Sequence, residues 1–340
     1  MATVEALGRI PVGTPVDHII TDLAATQAKQ QRNVQIAQLA CPTLSTAASS
    51  GSYPKEDGWF GLDESDMSVK TDASVTGEDY PEMQIGATSQ AFRVERDLIG
   101  SIKIADRTVA DWSATTGQDY SAYAAQKAER IARDHFVKKA FALVGTSGGY
   151  DVDNTRDPGD ITSSTFDFAE EIAYDAVERL LDKNTYADGD PLLVLISWDV
   201  VPSLMKLQQL RSRIGSTTGV ASGEAAGSVV TTVLNMDEVE AAVASLFPDN
   251  TTVRIVRGKY KSSAGTATDF LSAKIAVLAN GGPGSVSFAR CVTQDGFNPI
   301  LETRTERFES FRGYRVYVDS YSDFLVENDA AGVLYTGLLS

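Results

Sequence analysis

The chain has 340 residues, 43% of them hydrophobic and 22% charged. That composition supplies a real apolar core for one elaborated domain or two ordinary ones and excludes a disordered chain. Its 46 acidic residues outweigh 30 basic ones, for a formal charge of −16, so the chain as a whole repels DNA and RNA and leaves room only for a local basic patch.

No apolar run reaches the length of a membrane span, and "MATVEALGRIPVGTPVD" has no basic region followed by an apolar core. We therefore expect a soluble protein without a secretion signal. In chain order, residues 1–55 read as an N-terminal arm. "RIPVGTPV" is punctuated by prolines, Asp17 caps a moderately periodic helix running to Ala40, and "CPTLSTAASSGSYPKEDGWFG" has the Ser, Ala, Gly and Pro content of a loop. Such an arm has little core of its own and is expected to lie against something else. Residues 56–105 read as an extended, polar hairpin loop. "MSVKT", "MQIGATSQAFRVE" and "LIGSIKI" show short alternations broken by Thr-Gly and Tyr-Pro turns.

The longest helical signal lies at 119–144, in "QDYSAYAAQKAERIARDHFVKKAFALVG". Tyr120, Ala124, Ala128, Ile131, Ala132, His135, Phe136 and Leu143 recur there at three- and four-residue steps. Asp119 falls in the first turn, Lys138 and Lys139 lie toward the end, and Gly145 is placed to stop the helix. Its length of about 38 Å would cross a whole domain.

After the loop "GTSGGYDVDNTRDPGD", "STFDFAEEIAYDAVERLLDKN" predicts an amphipathic helix capped by Ser164 or Thr165. "PLLVLIS" predicts a buried strand, "WDVVPSLMKLQQL" and "NMDEVEAAVASLF" helices, and "TTVRIVRG" and "DFLSAKIAVLAN" strands. Interleaved helices and buried strands make this a mixed α/β sheet covered by helices. The C-terminal part returns to strand, with Tyr314, Val316 and Val318 alternating against Arg315, Tyr317 and Asp319.

Chemistry is sparse along this chain. His18 and His135 are the only imidazoles, His135 sits on the apolar stripe beside Phe136, and neither has a nucleophile context, so a hydrolase triad is not expected. Cys41 and Cys291 stand 250 positions apart with no metal-ligating neighbours and read as reduced thiols. Asp151, Asp153, Asp157 and Asp160 lack the central Gly and closing Glu of a calcium loop and read as a solvated surface loop. Lys259 and Lys261, near Ser262, Ser263 and Gly265, suggest a phosphate cradle. Gly258 has no partner glycine before it and a strand follows, so a structural corner is expected instead. The Gly- and Ser-dense stretch 215–232 has no ordered fingerprint and reads as a projecting loop. No catalytic, cofactor-binding or metal residue is assigned, no cofactor is expected, and a structural rather than enzymatic protein is the expectation.

The order of segments from about Tyr80 onward resembles the major capsid proteins of tailed bacteriophages, with the Hong Kong 97-like fold shared with encapsulin shells. "AFRVERDLIGSIKIADRTVADW" running into "AAQKAERIARDHFVKKAFAL" is similar to that family's hairpin loop leading to its spine helix. "PLLVLISWDVVPSLMKLQQLRSRI" looks like its strand and following helix. "MDEVEAAVASLFPDNTTVRIVRGKYKSSAGT" resembles its helix, Leu-Phe-Pro stop, strand and polar turn, and "FRGYRVYVDSYSDFLVENDAAGVLYTGL" its final strands.

The resemblance implies an α+β fold with an N-terminal arm (1–55), an extended β-hairpin loop (56–105), a peripheral domain with a long spine helix (106–164 and 290–328), and an axial α/β domain (165–289 and 329–340). It implies a coat protein that assembles with itself into pentamers and hexamers of an icosahedral shell around double-stranded DNA. Scaffolding, portal and decoration proteins are its implied partners, DNA is enclosed without sequence-specific binding, and no membrane is involved. The implied location is the virion, after assembly in the host cytoplasm.

Many relatives carry a long charged helical segment before the arm, and this sequence shows none. That segment is expected to be absent, replaced by a separate scaffolding protein or removed in a mature form, with Met1 making removal of a long leader the less expected. No lysine, Lys70 and Lys103 included, matches a motif for the covalent cross-linking of one branch of the family. An acidic inner wall would keep packed DNA from sticking. The readings that compete are an encapsulin-type compartment for cargo enzymes, an acidic α/β enzyme with an intersubunit site, and a tail or decoration protein.

Overall fold

The computed structural model describes residues 31–56, 87–108, 120–163, 165–187, 189–217, 236–261, 265–281 and 286–339. Helix α1 (Arg32–Ala40) buries Val34, Ile36, Ala37 and Ala40. It packs on helix α2 (Tyr120–Val144), which matches the long helix read from the sequence. The inner end of the arm is thus part of this chain's own core, which corrects the expectation of an arm without one.

The stretch 41–61, read as loop, contains strand β1 (Thr43–Thr46) and strand β2 (Ser50–Glu56). Strand β1 pairs in parallel with β11 (Ala289–Gln294), and β2 pairs antiparallel with β3 (Ala87–Arg93). Their Ser- and Gly-rich sequences carry little strand preference, and the partners supply the pairing. Strand β4 (Arg96–Ala105) also departs from the local hairpin picture. It leaves β3 and pairs with β13 (Gly313–Tyr321), more than 200 residues later, in a sheet of order β12-β13-β4 with β12 (Glu302–Phe308).

The central sheet runs β5-β15-β10-β6-β7, from β5 (Thr155–Arg156), β15 (Gly332–Tyr335), β10 (Ile275–Ala279), β6 (Leu192–Ser197) and β7 (Thr251–Val256). Alternate side chains on one strand face opposite sides, and both sides here are covered. Leu193, Leu195, Ala276, Leu278 and Leu334 join a core with Phe136 and Phe141 of α2. Leu192, Val194, Ile196, Ile275, Val277 and Tyr335 join a second core with Ile172, Leu180, Val239 and Val243. Burial on both faces is why "PLLVLIS" reads as a continuous apolar run.

The first helix of the second core starts later than the sequence suggests. Ser164 lies outside the described residues, and Thr165 does not cap. Asp167 instead accepts from the Ala169 and Glu170 amides at 2.9 and 3.2 Å, and a π-helical turn (Ala169–Tyr174) leads into helix α3 (Asp175–Asp182).

"WDVVPSLMKLQQL" divides into helix α4 (Val201–Leu204) and helix α5 (Gln208–Thr217), and Asp199, just before α4, accepts from the Ala273 amide and Ser272 hydroxyl. Helix α6 (Met236–Ala244) follows as expected. Of "DFLSAKIAVLAN" only Ile275–Ala279 is central strand. Asp269 closes a small hairpin of β8 (Lys259–Lys261) and β9 (Ala267–Asp269), and Ala273 turns with φ 50°. A second three-stranded sheet, β1-β11-β14, is completed by β14 (Asp323–Val326). Among the described residues no helix is long and apolar enough to cross a membrane.

Candidate functional site

Several of the residues weighed for chemistry are engaged in hydrogen bonds, ion pairs or burial. His135 is not buried on the helix stripe; it is partly exposed, with Nε2 3.1 Å from Asp97 Oδ2. Lys139 does not serve the last turn of α2. Its Nζ donates to Asp97 Oδ2 at 2.7 Å and to the Ser322 carbonyl at 2.9 Å. Burial pushes the Asp97 carboxyl up, but hydrogen bonds from Lys139 and His135 outweigh it and hold the group below the ordinary carboxylate range. This cluster ties β4 to α2 and to the start of β14. Ile131, expected on the stripe, is 38% exposed.

Cys41 and Cys291 are free and buried. Burial pushes the Cys41 thiol far up and Cys291 up to about 12, so neither is a nucleophilic thiolate near neutral pH. In the acidic loop, Asp151 Oδ2 accepts from Lys183 Nζ at 3.1 Å, Asp157 Oδ1 accepts from the Gly159 amide, and Asp160 Oδ1 from the Thr162 amide. These carboxylates shape turns, and no metal-ligand cluster occurs among the described residues.

At the lysine corner, Lys259 Nζ pairs with Asp269 Oδ2 at 3.3 Å. Gly258, with φ 132°, brings the backbone against Phe270 and Asn33. His18, Asp17, Asp119, Lys70, Ser262, Ser263 and residues 218–232 of the Gly- and Ser-dense stretch lie outside the described residues. A cleft of about 410 Å³ beside α5 is lined by Thr162, Ser163, Asp167 and Lys206, among others. Asp167 is occupied as a helix cap there, so the cleft offers no free acid–base pair.

Two constellations escaped sequence reasoning. Glu240 is buried in α6, where its Oε1 accepts the Ile255 amide of edge strand β7 at 2.7 Å and Oε2 meets Arg254 at 3.2 Å; Arg32 of α1 bonds the same carboxylate. It closes the sheet edge against another strand. Its place on the stripe Met236, Glu240, Val243, Phe247 was the available signal.

The second constellation roots the β2-β3 ribbon. Tyr53 Oη donates to Glu327 Oε1 at 2.7 Å, Arg290 Nε donates to Glu327 Oε2 at 2.6 Å, and Phe92 and Val94 pack on Val292 and Leu325. The ribbon is a two-stranded sheet with both edges unpaired among the described residues, an arrangement marginal in water without something to lie on. Exposed apolar side chains include Leu98 (73%), Val152 (90%) and Tyr174 (69%). The arrangement holds surfaces in place for contact.

Neither protein-family models nor curated proteins give a match to the sequence. Solved structures do. A phage-related protein from Bordetella bronchiseptica RB50 is 13% identical, with a TM-score of 0.61 over 94% of this chain and 97% of that one. The capsid of cyanophage P-SCSP1u is 10% identical, with a TM-score of 0.51 over 89% and 87%. A virus-like particle from Pyrococcus furiosus is 12% identical, with a TM-score of 0.50 over 95% and 100%. At these identities the likeness establishes the fold, and the chain has the Hong Kong 97-like capsid fold.

Proposed function

We propose that this chain is a structural coat subunit that associates with copies of itself to build a shell. The observation that carries the reading is the end-to-end likeness to a phage-related protein, a phage capsid and a virus-like particle. The β2-β3 ribbon, fastened to the body at its root by Tyr53, Phe92 and Glu327, adds support because it gains most by lying on a neighbour.

In the finer form of the proposal, the shell is icosahedral, with pentamers and hexamers, and encloses a double-stranded DNA phage genome without reading its sequence. Residues 165–289 and 329–340 form the axial domain of each capsomer, and 106–164 and 290–328 the peripheral domain. Scaffolding, portal and decoration proteins would be its partners and the virion its location. Its work is mechanical, with no catalytic step assigned to any residue.

Negative-stain electron microscopy of the purified protein, with light scattering for mass, tests this. Closed particles of many subunits are expected. A compact monomer at all concentrations, or rings and tubes without closed shells, would overturn it.

A further inference from the structure

The outward face of the β12-β13-β4 sheet carries charge that the fold does not use. Arg315 on the central strand stands in register with Glu306 on one side and Lys103 on the other, and Tyr317 stands with Arg304 and Ser101. The inward face is occupied, since Val316 and Ile104 pack on Ala124 of α2. On the outward face Glu306 is already engaged, pairing with Arg304 at 2.7 Å and accepting from Tyr317 Oη at 3.1 Å.

Among the described residues Arg315 is therefore left without a carboxylate, although Glu306 stands beside it. Its guanidinium lies over the Phe308 ring at 5.1 Å and the Tyr317 ring at 5.9 Å, and its Nε is buried with no acceptor. Lys103 is exposed and has no ion pair or hydrogen bond among the described residues. Like charges directly opposite each other destabilise a strand pair. Stacking on two rings also holds a guanidinium in a set orientation, ready for a planar acid. On a chain of charge −16, such a face favours carboxylate ligands.

We propose that this face, centred on Arg315 and Lys103, is a docking surface for a carboxylate-rich stretch of a second copy of the chain. The inference rests on the self-association proposed above. Other copies supply the matching chemistry: residues 57–86 include eight acidic residues and one basic, and residues 151–182 include ten and two. The same net charge opposes nucleic-acid phosphate as the occupant.

The test assembles particles from equal amounts of ¹⁴N- and ¹⁵N-labelled subunits and treats them with a water-soluble carbodiimide, which joins an amine to a carboxylate in contact. Mass spectrometry of the digest is expected to find Lys103 joined to an Asp or Glu of the other isotope. Arg315→Glu is expected to lower particle yield at least about tenfold with an unchanged circular dichroism spectrum, and Arg315→Lys to restore part of it. Intact particles in which Lys103 is unlinked, or linked only within its own copy, would overturn the docking surface alone, whatever the variants do. DNA-duplex binding that Arg315→Glu abolishes, with Lys103 unlinked, would also overturn it by giving the face to phosphate. Wild-type protein that forms no particles would overturn the shell reading and the docking with it.

Discussion

Glu240 ties two other segments to α6 through one carboxylate, α1 by Arg32 and β7 by Arg254 and Ile255. Its removal leaves a strand amide and two guanidinium groups without their buried acceptor. Glu240→Ala is expected to destabilise dispersed subunits by about 3 kcal/mol, and Glu240→Gln by less, since the amide oxygen still accepts from Ile255. Denaturant midpoints measure both, and equal losses would count against the edge-capping role.

Asp97 makes a pH-dependent contribution of definite sign. Its folded value lies below the unfolded one. The stabilisation is therefore present above the ordinary carboxylate value of about 3.9 and is lost as pH falls through the folded value. Asp97→Asn should lower stability at neutral pH and flatten the acid limb of the unfolding profile. Wild-type and variant curves that stay parallel down to acid pH would refute the assignment.

At the scale of elements, helix α2 works through small side chains. Ala124, Ala128, Ala132 and Ala140 are fully buried at four-residue and eight-residue steps with Phe136 among them, so α1 and the strands approach closely. Ala132→Leu is expected to cost about 1–3 kcal/mol by overpacking, read as a lower melting temperature.

The β13-β4 pairing depends on Gly313 in a similar way. A Cβ there would stand 2.3 Å from the Ile104 carbonyl and 2.7 Å from the Ala105 Cα. Gly313→Ala must push the strands apart at the end of the sheet. Amide hydrogen exchange should then show loss of protection in β4 beside an unchanged β6, and protection equal to wild type would contradict the close approach.

At the scale of the whole molecule, a subunit whose ribbon is stabilised by neighbours has a stability tied to association. Anything that binds the native state raises its apparent stability by mass action. The melting temperature should rise with protein concentration across the range in which particles form. A melting temperature independent of concentration in assembled samples would argue that the body gains nothing from its neighbours.

Local signals in the sequence determined α2 and the doubly buried strand β6, because burying one helix face imposes a 3.6-residue repeat and burying both sheet faces leaves a continuous apolar run. Short elements escaped local reading. Thr43–Thr46 and Ser50–Glu56 have no apolar alternation, and they become strands only because Ala289–Gln294 and Ala87–Arg93 offer them free backbone partners. Tertiary structure alone decided that Arg96–Ala105 pairs with a strand more than 200 residues later, that Glu240 meets Arg32, and that Arg315 stands beside Lys103 on one sheet face. Contacts between segments far apart in sequence leave no periodic trace in either segment; they come from packing two cores against one sheet, which fixes where every edge and loose end must lie.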